Sequence, residues 1–596
     1  MALGIFQIVT RVSLASYKEP VRITVFLWLL LSVGLIYKFA PEVYMLKLGD
    51  NDNFMRYVQF TEWLKQGNWY LEPLPRFNPQ DGVIIHWSRL PDILLALVTV
   101  ISSWAMTDQI AETVAMSVVP CLYFLLLLLA TGAFTYRTLG RKYTIISVVF
   151  IAASSVIAKF MPGSIDHHNI QLVLAAWFLT LTPFRHYECK KHTAAVLQGV
   201  LLGLSFWVGL ENIIFFAAVM VLITLLGYIQ SVRFLYYARL VCISAVITCV
   251  ILLPVNRPLS EFFTGRVDAL SLPYVFALSC GYLFCQLSLF ARKTLPTNRY
   301  LTYLVLGVLS LMPVAILTPE ILLGVYYHYP PLLDKYWLSQ VIEARSSISY
   351  ILSDGFFASR NLILPLLPAF FSVIYIRTDK VSRYLYALFI LLALPFIFWQ
   401  IRTVYIAFVV GMPLQALFAV RLAEQMKVTL LKAATIIFCI PACLMLLASL
   451  LHSATTAGSG DELAKASGLD KADIISVLLR HQVTASRILA PFDYGAAILA
   501  ETDNQVISAP YHRNIQGNQL TVELFTTTNL DLVRQKLKTR HIDYVMFGPH
   551  STSKIFSVYS DKSSFINQLY AGQYPSWLRL VEKNEQGFLL FKVKTQ

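Results

Sequence analysis

The chain has 596 residues and a net charge of +14, with 57% hydrophobic side chains, 14% charged ones and a mean hydropathy of +0.61. So much apolar side chain exceeds what a water-soluble fold can cover, which excludes soluble enzymes and binding modules and leaves a polytopic α-helical membrane protein. The positive charge needs no nucleic acid, because lysine and arginine gather in short loops between apolar runs, as expected of cytoplasmic loops facing anionic membrane lipids.

In chain order, Arg11, Lys18 and Arg22 precede a first span near 23–40 without a signal-type cleavage site, so this span is expected to be retained with its N-terminus in the cytoplasm. A long polar and aromatic loop, 41–112, follows. Its apolar piece at 91–106 is short for a bilayer crossing and reads as an interfacial helix. Later spans are expected near 113–135, 143–160, 168–185, 194–210, 212–229, 236–254, 270–291, 300–322, 361–376, 384–400, 402–420 and 428–451, about thirteen in all. With this parity the basic groups around Arg137, Arg185, Arg233, Arg292, Arg377 and Arg421 all fall on the cytoplasmic side. The outer side receives loops 41–112 and 323–360, the turn at Asp166 and the region 455–596. That region is expected to be a small α/β exterior domain on a 1–454 membrane domain, with a helix within 461–487 and strands at 521–525, 541–547, 578–582 and 588–593. The eight cysteines sit in or beside apolar runs without metal-type spacing, so no disulfide framework is expected. Nothing in the sequence sets an oligomeric state.

Ionisable residues concentrate at the outer face. In Pro162-Gly163-Ser164-Ile165-Asp166-His167-His168, a carboxylate and an imidazole two positions apart can share one divalent cation where the backbone turns; Asp166 as a helix N-cap accounts for the same residues. Asp50-Asn51-Asp52-Asn53 is either an Asx-rich turn before an amphipathic helix at 54–66 or a second source of oxygen ligands. Glu343 stands in the 323–360 loop, where a solvated acid is the simpler reading. Arg402 ends an apolar run, where it snorkels to the interface or meets an anion such as phosphate. His86-Trp87-Ser88-Arg89 and the stretch Ala509-Pro510-Tyr511-His512-Arg513 combine residues able to contact sugar or phosphate with residues common in interfacial anchors and surface loops. Glu211, at the outer end of a span, reads as a helix-end residue.

Taken together and in order, these pieces resemble the catalytic subunits of oligosaccharyltransferases, which in bacteria and archaea are single polypeptides with a GT-C fold. Asp50 through Met55-Arg56 is similar to the acidic motif of the family's first outer loop, with Asp50 at the family's position and Asp52 an alternative by spacing. Asp166-His167-His168 resembles an archaeal Asp-His-His motif, and Gln340-Val341-Ile342-Glu343 a Thr-Ile-x-Glu-like one. Pro491-Phe492-Asp493-Tyr494-Gly495 keeps the last three residues of Trp-Trp-Asp-Tyr-Gly and loses both tryptophans, which in the family bind a sequon hydroxyl.

The resemblance implies a metal-dependent transferase at the outer face of a prokaryotic inner (plasma) membrane. It would move a glycan from a polyprenyl (di)phosphate carrier to a protein side chain, or alternatively to a glycan or lipid. It implies Asp50, Asp166 and His168 as ligands of Mn²⁺ or Mg²⁺, with Arg402, Arg56 and Arg89 near the donor phosphates. Glu343 would act on the acceptor, with Phe492, Asp493 and Tyr494 binding it, and His167, Trp87 and His512 are further candidates. The competing class is a transporter or flippase of lipid-linked sugar, which should show related halves and mid-membrane charges; the sequence shows neither.

Overall fold

The computed structural model describes residues 14–294, 298–341, 344–354, 360–376, 379–455, 474–549 and 551–594. Among the described residues seven helices are long and apolar enough to cross a membrane, from Lys18–Tyr44 to Ile401–Glu424, and Thr429–Phe438 with Pro441–Leu451 makes an eighth if the 74° bend between them interrupts a single span. Shorter apolar helices, including His168–Leu181, His192–Val208 and Ile213–Ile229, occupy the other places where spans are expected.

Burial sorts these helices. The apolar window of Ile401–Glu424 is 83% buried, while those of Lys18–Tyr44 and Arg299–Leu317 are 11% buried. A helix that is apolar all round must cover its surface with either protein or lipid. The first is therefore the centre of the bundle, and the other two, with Phe26, Leu30, Leu304 and Leu311 exposed, are its lipid-facing edge.

The stretch expected to be interfacial forms the helix Leu90–Ser103, which packs against Asp108–Thr138. Its first turn is pinned by Asp92, which is fully buried and receives Arg56 (3.0 Å), Gln59 (2.7 Å) and Arg89 (3.4 Å).

The C-terminal unit carries a five-stranded sheet in the order β2-β1-β3-β5-β4, with β1 Arg487–Leu489, β2 Gln505–Val506, β3 Tyr544–Phe547, β4 Leu578–Lys583 and β5 Leu589–Val593. β1 runs parallel to β2 and β3, while β5 pairs antiparallel with β3 and β4. The strand expected at 521–525 is instead part of the helix Ile515–Thr526, because a short buried apolar run looks alike in either state. The two strands missed, β1 and β2, are too short to show a period. Of the helix expected within 461–487, residues 474–480 are helical and Arg487 already belongs to β1, while 456–473 lie outside the described residues.

The loop 41–112 fastens this unit to the bundle. Phe77 pairs with Val506 as a parallel bridge, with Asn78 N–H donating to Val506 O (2.7 Å) and Val506 N–H to Arg76 O (3.0 Å). Arg540 pairs with Asp81 (2.7 Å) beside it. Leu333, Tyr336 and Trp337 of the 323–360 loop are built into the core of the same unit.

Candidate active site

The helix Asn51–Gln66 opens with Asp50 as its N-cap, in extended backbone, its carboxylate accepting from Asp52 N–H (3.4 Å). Asp50 therefore serves the helix start, and Asp52 in the first turn is the acid turned towards the second motif. Across from it the chain reverses at Gly163, whose φ of +86° suits glycine and where a Cβ would meet Val43 Cγ2 at 3.2 Å. Asn53 ties the two pieces together, accepting from Asp166 N–H (3.0 Å) and donating to Leu48 O (3.1 Å). As a result Asp52, Asp166 and His168 each place a ligand atom within 4.8 Å of the others.

The donor set fits a divalent cation. Asp166 is 7% exposed; its Oδ1 accepts from the His167 N–H (2.6 Å) and ring Nδ1 (2.5 Å), while its Oδ2 is buried with no hydrogen-bond partner among the described residues. His168 Nδ1 faces Gln171 Oε1 (3.0 Å), which can only accept, so Nδ1 carries the proton and Nε2 presents a lone pair. That Nε2 lies 3.4 Å from Asp166 Oδ2. Two acceptors face each other out of water, an unfavourable arrangement that a bound cation would relieve.

Around this corner the side chains close a ring. Gln171 donates to Glu211, and Glu211 Oε1 takes His167 Nε2 at 3.0 Å. Burial alone would lower the pKa of His167, but Asp166 and Glu211 on either side raise it to about 10, so the ring is an imidazolium. Burial would raise the two acids, yet the neighbouring histidines hold both well below the usual carboxylate range. Glu211 is thus part of the site and not merely a helix end. Its signal was the neighbouring Gly209, where a Cβ would meet Gln171 Nε2 and Glu211 Oε2 at 2.5 Å.

By sequence the chain matches no family model and no curated protein. By structure it is similar to the archaeal oligosaccharyltransferase AglB from Archaeoglobus fulgidus in complex with an inhibitory peptide and a dolichol-phosphate, at 14% identity and TM-score 0.61 over 95% of this chain and 74% of that one. It is similar to an Archaeoglobus fulgidus oligosaccharyltransferase tethered to an acceptor peptide containing the NVT sequon, at 12% identity and TM-score 0.62 with the same coverage. A complex of such an oligosaccharyltransferase with zinc and sulfate matches at 13% identity and TM-score 0.57, over 94% of this chain and 73% of that chain. The chain has the oligosaccharyltransferase fold.

Within this oligosaccharyltransferase fold the other expected residues separate. Arg402 lies in the turn Ile401–Thr403, held by Gln400 Oε1 (2.8 Å), and no carboxylate among the described residues is within ion-pair distance of it. Lys159, which the sequence reading passed over, sits over the Tyr405 ring (5.4 Å) and acts on Asp166. Tyr511, from the C-terminal unit, is buried with its hydroxyl on Asn51 O (2.9 Å), so both units build the corner.

Several expectations are corrected. Arg56 is fully buried, paired with Asp92 and stacked on Trp87 at 4.5 Å; Arg89 is 8% exposed, paired with the same Asp92 and stacked on Trp63 at 5.0 Å. Buried and tied to the same carboxylate, the two guanidiniums clamp the start of the helix Leu90–Ser103 and leave almost no surface to a donor phosphate. Trp87 is wedged between Arg56, the His167 ring (5.4 Å) and the Tyr511 ring (5.5 Å), and at 3% exposure offers no face to a sugar. Phe492 and Tyr494 are core residues of the C-terminal unit, at 0% and 1% exposure, because bulky aromatic side chains fill the space behind the sheet. Phe492 packs on Trp337 (5.8 Å) and Phe556 (5.4 Å). The Asp493 carboxylate is held by the Thr552 N–H (3.2 Å) and hydroxyl. This motif thus maintains the domain core in place of lining an acceptor groove. Glu343 lies outside the described residues. His512 is hydrogen-bonded to Asp268 (2.9 Å).

Proposed function

We propose that this protein is a membrane glycosyltransferase that moves a glycan from a polyprenyl (di)phosphate carrier to an acceptor. The reaction takes place at the outer face of a prokaryotic plasma membrane, with the N-terminus cytoplasmic and the sheet unit outside. The observation that carries the reading is the buried, partnerless Asp166 Oδ2 facing His168 Nε2 and Asp52. These three residues hold a divalent cation. One imidazole beside two carboxylates favours Mn²⁺ over Mg²⁺, which prefers oxygen ligands. When bound, the cation supplies positive charge to the phosphate that departs with the carrier.

The protein's own residues do the rest. Arg402 adds a second positive charge on the donor side. The Glu211–Gln171 pair holds His168 in its ligating tautomer and His167 in place against Asp166. Trp87 and Tyr511 keep water from the inner side of the corner. Glu343 is the acid we assign to the acceptor side. Solved neighbours containing dolichol-phosphate and an acceptor peptide support a lipid-phosphate donor and a protein acceptor.

The test is a donor-consumption assay on the purified protein in lipid, using lipid-linked glycans extracted from the cells that make it, with Mn²⁺, with EDTA, and with Asp166→Ala. Consumption should require both the cation and Asp166. Equal consumption in all arms sinks the reading, and donor that is bound but never cleaved in any arm points to a transporter.

A further inference from the structure

We propose that His512, oriented by Asp268, is the general base that takes a proton from an acceptor hydroxyl, so that the glycan is transferred to oxygen. The inference rests on the glycosyl-transfer reading above and specifies its acceptor. His512 follows Tyr511, whose hydroxyl sits on Asn51 at the cation corner. Its Nε2 meets Asp268 Oδ2 at 2.9 Å, and Asp268 is itself gripped by Arg513, Nε to Oδ2 at 2.5 Å and Nη2 to Oδ1 at 2.9 Å. A carboxylate only accepts, so Nε2 carries the hydrogen and the lone pair is on Nδ1, which has no hydrogen-bond partner among the described residues. The side chains of His512 and Asp268 are 14% and 12% exposed, enough for a ligand atom to reach them.

The dyad borders the cation corner. The His512 ring lies 6.0 Å from that of Tyr326, and the Trp87 ring bridges those of His86 (5.7 Å) and His167 (5.4 Å). On the other side is the His86 ring, at 4.5 Å. Burial holds His86 well below its ordinary pKa, so it stays neutral and does not compete for the proton.

His86, Asp268 and His512 also place ligand atoms within 4.8 Å of one another, as a metal site would. The Arg513 guanidinium argues against that use. It occupies both oxygens of Asp268 and puts a fixed positive charge where a cation would sit. What remains is an imidazole held in one tautomer by a carboxylate, the arrangement of an oriented base.

A neutral hydroxyl becomes a competent nucleophile only as its proton leaves. In the transfer, the acceptor oxygen bonds to C1 of the sugar, the bond from C1 to the phosphate oxygen breaks, and its electron pair departs with the carrier phosphate. The acceptor proton passes to His512 Nδ1 and from there to water. A serine or threonine side chain and a sugar both supply such a hydroxyl. Asp268 is a positioning residue in this scheme.

The experiment uses the full-length protein in lipid nanodiscs with Mn²⁺ and lipid-linked glycans extracted from its own cells. Three acceptors are offered in parallel: a serine/threonine peptide, an asparagine peptide and an oligosaccharide. We expect product in the serine/threonine arm, released by mild alkali, or in the oligosaccharide arm, and none on asparagine. His512→Gln should lower kcat about a hundredfold or more with KM for the donor unchanged, and abolish the acid limb of the pH–rate profile. Asp268→Asn should lower kcat less. The groups facing His512 are His86, Asp268, Arg513, Tyr326 and Tyr329, so His86→Gln, which should keep the acid limb, is the control. Imidazole should partly rescue His512→Gly, which a merely structural role would not allow. Product on an asparagine amide, or a His512→Gln variant with wild-type rate and acid limb, overturns the proposal. If the wild type consumes no donor and Asp166→Ala behaves identically, the transfer reading itself fails and this inference falls with it.

Discussion

Asp92 and Asp166 are both buried carboxylates in the membrane unit, yet their surroundings differ. Asp92 is 0% exposed and both its oxygens are taken, Oδ1 by Arg56 and Oδ2 by Gln59 and Arg89. Asp166 has one oxygen committed to His167 and the other idle. Burial is equal to within a few percent, so the number of donors around each oxygen separates a strut from a ligand. A buried acid whose donors are complete has nothing left to offer a substrate or ion, whereas an incomplete one is kept that way at a cost in stability.

This contrast can be broken by substitution. The largest expected effect is Asp166→Ala, which should reduce glycan transfer by roughly a thousandfold or more while lowering the melting temperature in detergent less than the loss of Asp92 does, because the His167 ring keeps Glu211 as a counter-charge. Asp92→Ala should do the reverse. It leaves two buried guanidinium groups without their counter-charge, so it should destabilise the protein by about 3–5 kcal/mol, seen as a lower melting temperature, while the fraction still folded turns donor over normally. A stable Asp92→Ala and an unstable Asp166→Ala would invert the assignment.

Smaller effects sharpen it. Asp52→Asn should weaken Mn²⁺ binding at least about tenfold, as measured by titration, and Gln171→Leu, which frees the proton position of His168, by about 10–100-fold. Asp50→Asn should be almost silent in the same titration, because asparagine caps a helix about as well as aspartate. If Asp50→Asn is the more damaging of the two first-loop changes, the assignment of Asp52 to the cation is wrong.

Much of this site was legible as local pattern. The spacing of Asp166 and His168, the glycine turn before them and the acid pair ahead of an amphipathic helix are all short-range features. The choice between Asp50 and Asp52 was not, since it depends on which carboxylate the first helical turn uses as a cap. Nor was the role of Gln171 and Glu211, which lie 40 positions apart and meet only because Gly209 leaves room. The sequence reading also misassigned Phe492 and Tyr494, because the same aromatic residues that suit an acceptor groove are those that fill a domain core.

The sequence by itself determined that the protein is a bundle of apolar helices with its acids gathered at one end, because apolar length and loop charge act residue by residue and need no partner. Only the tertiary structure decided which of those acids is finished and which is open. Arg56 reaches Asp92 across 36 positions, Asn53 reaches Asp166 across 113, and Tyr511 reaches Asn51 across 460. The donors that complete a carboxylate, or fail to, come from such distances, and local sequence spacing has no record of them.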